Sequence, residues 1–490
     1  MRRQFLLSLV AVLFSSFGGV FSAALAQSTV GPLSLEEVLD SSAEHFPAIL
    51  ESLAQKQGAE AEALSALGAF DVVFGAEAKS YASGFYDGTV IDGSVSRNLR
   101  PFGAQVFGGY KLSDGDFPIY EDRNFTNTGG EVRFGVLFSL LRDRAIDDRR
   151  FAVAIADLGI SEADFNVLLT QIGVQHKAQL AYWRWVAAGR QLDIFEDLLR
   201  IARARQTGLE EQVRQGARAE IFLTENRQNI TRRQIRATEA QRDFRAAANS
   251  LSFYLRGDDG MPRTPTRAEL PPAPSINMAA SQVVDDQDLI ETAMAAADDA
   301  SAQALLLRPE IALVEVAIDR ARNEMALGRN ARLPRLDLTY ELQHDFGEVA
   351  EGGISRDSTD NLLGLKFSVP FERRDAEGKI RKAEADLSAA RLRRRQLRDQ
   401  IDIEIRNILL DLDMARQLTL LAVQEVDQSR TMEQAERERF AGGASDFFLV
   451  NIREETAADA AIRFHLAHLN ARIARANLDA ATVNLERLGL

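Results

Sequence analysis

The hydrophobic and polar positions of this chain change period several times, and the order of the changes is the same in its two halves. Over 288–330, apolar residues such as Ile311, Val314, Ile318 and Ala321 recur at three- and four-residue spacing, which predicts a helix that stops before Leu333-Pro334. The period then becomes two. Leu336, Leu338, Tyr340 and Leu342 alternate with Asp337, Thr339, Glu341 and Gln343, and beyond a loop rich in Gly, Ser and Asp the same holds for Leu363, Leu365, Phe367, Val369 and Phe371. Both segments predict strands with one apolar face and one polar or mixed face. Over 375–440 the helical period returns, with Leu397, Ile401, Ile405, Ile408, Leu412 and Ala415 as a coiled-coil-like seam, and after Gly442-Gly443 a last helix runs to Leu488.

The first half repeats the order: a helix to about Leu67, strands within 70–81 and 132–141, a long helix over 143–213, a break at Gly216 and a helix to Leu255. Its seam includes Leu158, Ser161, Phe165, Leu168 and Ile172. Two further strand-like stretches, 90–96 and 104–112, have no counterpart in the second half.

The two helix reversals read alike. Residues 216–228 are GARAEIFLTENRQ and 442–454 are GGASDFFLVNIRE, which pairs Glu220 with Asp446, Phe222 with Phe448, Leu223 with Leu449 and Arg227 with Arg453. A duplicated reversal predicts a repeated, elongated architecture. A helix over 143–213 is ~100 Å long at ~1.5 Å per residue, and the helices at 34–67 and 220–255 are each about half that. Two short helices laid end to end therefore match one long one, giving a rod with its Gly breaks at one end and its strands at the other. Strands that enter a bilayer must close into a barrel, because unpaired backbone groups are not tolerated in lipid. Two hairpins cannot close one, so the alternation fits either a barrel pooled from several chains or a soluble sheet.

Composition narrows the destination. The first 26 residues carry Arg2 and Arg3, an apolar run from Phe5 to Phe21 and small residues ending at Ala26, the layout of a secretory signal peptide. Residues 257–287, with Pro262, Pro265, Pro271, Pro272 and Pro274, form a Pro-rich linker between a first repeat, 27–256, and a second, 288–490. Cysteine is absent, which excludes disulfides and thiolate-bound metal. The net charge of −14 becomes −16 once Arg2 and Arg3 leave with the signal, which argues against nucleic acid as a partner. There is no Gly-rich phosphate loop, no GxSxG elbow and no convincing catalytic carboxylate pair, so the reading is of a protein that is not an enzyme and needs no cofactor or metal.

These features in this order resemble the TolC family of outer-membrane efflux and secretion ducts. The resemblance rests on the pseudo-repeat, the Pro-rich linker, the strands RLPRLDLTYEL and LGLKFSVPF, and the Gly-plus-acidic turns. It implies a mainly α fold with a transmembrane β-barrel: a homotrimer whose long coiled-coil helices form a tunnel through the periplasm, each protomer giving four strands to one twelve-stranded barrel in outer-membrane lipid. It further implies a periplasmic membrane-fusion adaptor and an inner-membrane transporter of the ABC, resistance-nodulation-division or major-facilitator type, the ABC case being type I secretion. The alternative is a periplasmic coiled-coil scaffold with no channel activity. The long 70–141 region departs from the family pattern and puts the strand count in question.

The resemblance also suggests sites. The turns Gln215, Gly216, Ala217, Arg218, Ala219 and Ala441, Gly442, Gly443, Ala444, Ser445 are the expected adaptor contacts, beside the plainer role of glycine in a tight reversal. Glu220 and Asp446 are placed to cap the helices that follow. By resemblance, Asp446 is also a candidate for an acidic entrance ring, although Leu449 stands where some members have a second Asp. Phe440, Arg437 and Arg439, with Asp446 and Glu220, are the entrance and gate candidates, with coiled-coil packing, helix capping and solvated helix faces as the plainer alternatives. Tyr182, Trp183 and Trp185 are expected to pack at mid-height. His465 and His468 are read as surface residues, because two histidines alone are a weak metal signal. The run 391–398, RLRRRQLR, is read as a solvated helix face.

Overall fold

The structure is a computed structural model and describes residues 31–118, 124–273, 305–349 and 358–490. The segment 1–26, the linker beyond 273 and the start of the helix expected from 288 lie outside the described residues.

The chain enters through α1 (Leu35–His45) and α2 (Pro47–Leu67). The helix expected to run unbroken to Leu67 is divided at Phe46, since Pro47 has no N–H to continue the ladder and instead opens the second helix. Ser34 starts α1 with a capping box, its hydroxyl accepting from the Glu37 amide while the Glu37 carboxylate accepts from the Ser34 amide. Then come strands β1 (Val72–Ser80), β2 (Thr89–Asn98), β3 (Gln105–Asp114) and β4 (Glu131–Ser139).

Next are α3 (Asp148–Arg214), capped by the Asp147 carboxylate, and α4 (Ile221–Ser252). The second half gives α5 (Pro309–Ala331), β5 (Arg335–Asp345), β6 (Asp360–Ser368), α6 (Arg374–Ala441) and α7 (Phe447–Ala481). At 67 and 68 residues, α3 and α6 are each ~100 Å long.

Each long helix packs against two short ones: α3 against α2 and α4, α6 against α5 and α7. The contacts follow the apolar stripes. Ile401, Ile405, Ile408, Leu412 and Ala415 of α6 are buried against Ala471, Ala474 and Leu478 of α7, and Val314, Ile318 and Met325 of α5 bury against Ala383 and Leu387 of α6. The many alanines let the helix axes approach closely. Of the α3 seam, Ile172 is buried, whereas Leu158, Ser161, Phe165 and Leu168 are only half covered within one chain.

The strands form one antiparallel sheet in simple sequence order, β1-β2-β3-β4-β5-β6, among the described residues. The implied count of four strands is therefore corrected to six: the stretches around 90–96 and 104–112 are β2 and β3, inserted between β1 and β4. The pairing register places one set of side chains on one face. Val72, Phe74, Ile91, Val95, Val106, Tyr110, Val132, Phe134, Leu338, Tyr340, Leu342, Leu363, Leu365 and Phe367 share it, and Phe74, Phe134, Leu363 and Leu365 are 80%, 55%, 74% and 66% exposed. The other face carries Asp92, Lys111, Glu131, Arg133, Asp337, Thr339 and Glu341, with Lys111 paired to Glu131 at 2.8 Å. One face of the sheet is thus apolar and exposed and the other carries ion pairs, the alternation expected of strands that have lipid on one side. Among the described residues, no helix is long and apolar enough to cross a membrane.

Candidate functional site

The α3–α4 and α6–α7 reversals lie at the opposite end of the long helices from the sheet, and they are built alike. In the first, the Gly216 amide donates to the Val213 carbonyl at 3.0 Å and the Ala217 amide to the Gln212 carbonyl at 2.9 Å, with Gly216 at φ 73°. In the second, the Gly443 amide donates to Phe440 at 3.1 Å and the Ala444 amide to Arg439 at 2.8 Å, with Gly443 at φ 76°. Each is a Schellman turn whose left-handed position requires glycine. Gly442 sits at φ −79° and has no such requirement.

This geometry corrects the register read from the sequence. Gly216 matches Gly443, so Ala219, not Glu220, stands opposite Asp446. The consequence is a difference in capping. The Asp446 carboxylate accepts from the Leu449 amide at 2.7 Å, whereas Glu220 has helical backbone angles and makes no side-chain cap. The expectation that both acids cap their helices fails for Glu220 because it lies one residue too far along.

The two turns are brought together. The Arg218 guanidinium lies over the Phe440 ring at 5.0 Å and over Phe222 at 5.4 Å, and Phe222 meets Phe447 edge-on with ring centroids 6.4 Å apart. Phe440 thus packs between the reversals. Around this contact Gln215, Gly216, Ala217, Ala219, Ala441, Gly442, Gly443 and Ala444 are exposed, while Arg218 and Ser445 are half-buried. Ser445 donates to the buried Glu436, which also receives Arg439 at 3.4 Å, and Arg439 reaches the Ala444 carbonyl at 3.3 Å. Arg439 therefore holds its own turn and makes no link to the first one.

About two helical turns above the reversals lies a group that the sequence reading did not select. Glu454 of α7 is fully buried and accepts from three helices: from Arg205 of α3, from Arg233 of α4 at 2.9 Å, and from Arg437 of α6 at 3.3 Å. Arg233 also donates to the Leu198 carbonyl at 2.8 Å, and burial lowers its affinity for its proton against the pull of Glu454. Asn451 accepts from Arg205 at 2.7 Å and from Asn229 at 2.9 Å. Of the proposed gate residues, Arg437 belongs to this hub and Arg439 does not. Burial, together with the Glu454 carboxylate, raises the Glu433 carboxyl despite its pairing with Arg437 at 2.6 Å.

At mid-height, Trp185 and Tyr182 pack in the largest core cluster with Leu192, Phe244 and Leu251, and the Tyr182 hydroxyl donates to the Leu33 carbonyl at 3.0 Å. Burial pushes that phenol up to about 12. His465 and His468 are half-buried rather than fully exposed. They face a cavity lined by Trp183, Arg190 and Pro271, and both are lowered to about 4, by burial first and then by Arg190 and Arg430 for His465 and by Arg472 for His468. Asp193 acts on His465 in the opposite sense.

Because an unfolded histidine binds its proton near ~6.5, these two stabilise the fold above that pH and lose their contribution as pH falls toward ~4. The thermal midpoint is expected to drop between pH 7 and 4.5, and less steeply in a His465→Gln, His468→Gln variant. An unchanged slope in that variant assigns the drop to other groups. Among the described residues no cluster of three or more His, Asp or Glu is placed to hold a metal ion. Arg394 in the 391–398 run pairs with Glu315 at 2.7 Å, and most of its neighbours are solvated.

Comparison with known proteins agrees with this geometry. Residues 300–484 match the family model described as outer membrane efflux protein. No curated protein sequence matches. Among solved structures, the chain is similar to the CmeC outer membrane channel of Campylobacter jejuni, with 13% identity and a TM-score of 0.60 over 99% of this chain and 97% of that one. It is also similar to the MtrE outer membrane channel of Neisseria gonorrhoeae in its open state, with 14% identity and a TM-score of 0.60 over 91% and 88%. The outer membrane protein VceC of Vibrio cholerae gives 14% identity and a TM-score of 0.59 over 91% and 95%. The chain has the fold of the TolC-family outer-membrane channels. The match to the outer membrane efflux protein family model lies at residues 300–484, in the second half of the chain, while the likeness of fold extends over nearly the whole of it.

Proposed function

We propose that this protein is a passive export duct that carries small molecules or secreted polypeptides across the periplasm and outer membrane. The observation that carries the reading is the sheet. It has one apolar and one ion-paired face, both outer strands lack a partner on one side among the described residues, and it stands at the end of helices ~100 Å long. One chain cannot satisfy the backbone groups of β1 and β6 in lipid. Three copies pool their sheets into a barrel, and their helix pairs continue it as a tunnel.

At the far end, the exposed turns 215–219 and 441–445 meet a periplasmic adaptor, which joins the duct to an inner-membrane transporter that supplies the energy. Exposed Phe448 and Ile221, at 62% and 65%, flank these turns and add apolar contact area. The Glu454 hub ties α6 and α7 to α3 and α4 and holds the entrance narrow. Asp446, exposed beside its cap, supplies an acidic ring there. Extraction of the outer membrane in mild detergent is expected to yield a trimer. A soluble periplasmic monomer would favour the scaffold reading instead.

A further inference from the structure

The sheet holds two strands more than its resemblance implies, and they are built into its plane. At the helix end, the β2–β3 turn closes by a Leu99 amide to Ala104 carbonyl bond of 2.7 Å, with Phe102 and Gly103 at φ 59° and 57°. Arg97 and Asn98 donate to the carbonyls of Phe70 and Ala69 at 3.1 and 3.0 Å, which fixes the turn to the junction of α2 and β1. A side chain on Gly103 would strike the Asp143 carbonyl, so the same turn is seated against the chain leading from β4 to α3.

Further along, Arg133 of β4 passes over β3 to reach both carboxylate oxygens of Asp92 on β2 at 2.7 Å. The strand it crosses has glycine there: a Cβ on Gly109 would stand 2.9 Å from the Arg133 Nε. On the opposite face, Ile91, Val95, Val106, Tyr110 and Leu112 continue the apolar belt of Phe134, Leu342 and Leu365 without a step.

We infer that the β2–β3 hairpin is part of the membrane wall, and that three copies of the chain close an eighteen-stranded barrel in which β6 of one copy pairs with β1 of the next. The inference rests on the proposed reading of the sheet as membrane-spanning. β1 and β6 are nine residues each and run in opposite directions, being first and last in an antiparallel sheet of six, so copies joined at these edges keep the antiparallel order. Strands of nine to eleven residues are the length a tilted membrane strand needs. Barrel diameter grows about linearly with strand number, so eighteen strands enclose a pore about half again as wide as twelve, within the range that leaves an aqueous channel. Restriction of flow then falls to the helical end.

The chain has no cysteine, so single cysteines introduce unique labels. Ile91→Cys and Leu112→Cys on the inserted hairpin and Leu365→Cys on β6 are labelled with an environment-sensitive fluorophore in the full-length protein in lipid vesicles, then exposed to quenchers confined to lipid or to water. All three are expected to be quenched severalfold more by the lipid quencher. Electron microscopy of the same particles is expected to count eighteen strands. If Leu365 reports lipid while Ile91 and Leu112 report water, or if twelve strands close the barrel, the inference is wrong and the duct reading stands. If Leu365 itself reports water, the membrane reading fails and takes the inference with it.

Discussion

Glu454→Ala is expected to destabilise the protein by about 3–5 kcal/mol, the scale for removing one partner of a buried ion pair. The substitution strands Arg233, which is 2% exposed and, among the described residues, keeps its hydrogen bond to the Leu198 carbonyl and the more distant Glu455 charge. Arg205 and Arg437 are less enclosed, with side chains 14% and 42% exposed, and turn toward water at smaller cost. Glu454→Gln retains an acceptor and is expected to lose less. Glu455→Ala, one residue on, breaks a pair with a half-exposed Arg232 and is expected to cost about 0–1 kcal/mol.

Thermal unfolding of the detergent-extracted protein followed by circular dichroism reads all three. If the hub acts through its charge, Glu454→Leu combined with Arg233→Met recovers much of the loss, because an apolar pair of similar volume leaves no stranded cation. The hub also joins the helices of both reversals, so the same Ala variant is expected to raise leak conductance, whereas Glu455→Ala is not. A Glu454→Ala variant as stable and as tightly closed as the parent would mean that the hub neither holds the helices together nor narrows the entrance.

The second large effect is on the sheet. Phe134→Arg places a guanidinium in the middle of the apolar face of β4 and is expected to cost about 2–4 kcal/mol in lipid, depleting the assembled form in the outer membrane. Thr339→Arg, on the polar face of β5 beside Gly364, is expected to assemble normally. Heat-modifiable mobility of membrane extracts on gels distinguishes the two. Equal assembly of both variants would mean that the exposed apolar face does not meet lipid.

The strands were readable because period-two alternation is local: each of the six segments shows its own apolar and polar sets, including the pair at 90–96 and 104–112 that the family pattern does not contain. What alternation could not give is that these two enter the same sheet, since that depends on their backbone pairing with β1 and β4, strands outside the 90–112 stretch. The reversals were readable from glycine, but their register was not. Matching residue types aligned Glu220 with Asp446, while hydrogen bonding aligns Gly216 with Gly443 and leaves Glu220 just before α4 with helical backbone angles and no side-chain cap.

The hub was missed because its members lie far apart in sequence, Glu454 being 249 residues from Arg205 and 221 from Arg233. A signal existed in the periodicity. Val450, Asn451, Glu454, Ala457 and Ala458 form one buried stripe of α7, and Asn226, Asn229 and Arg233 form one on α4, so polar residues stand where apolar ones are expected. Charged groups at core positions of two helices predict that they meet. His465 and His468 were misplaced for the opposite reason: histidine spacing says nothing about burial, which here comes from packing near Trp183 and Arg190.

If this chain forms a transmembrane duct closed at its helical end, recording from the purified full-length protein in a planar lipid bilayer reads both properties at once. The parent protein is expected to insert and give small or rare conductance steps, and Glu454→Ala to give larger and more frequent ones through the same pore. Bilayers that stay silent with both proteins, at concentrations where the protein has demonstrably inserted, would contradict it.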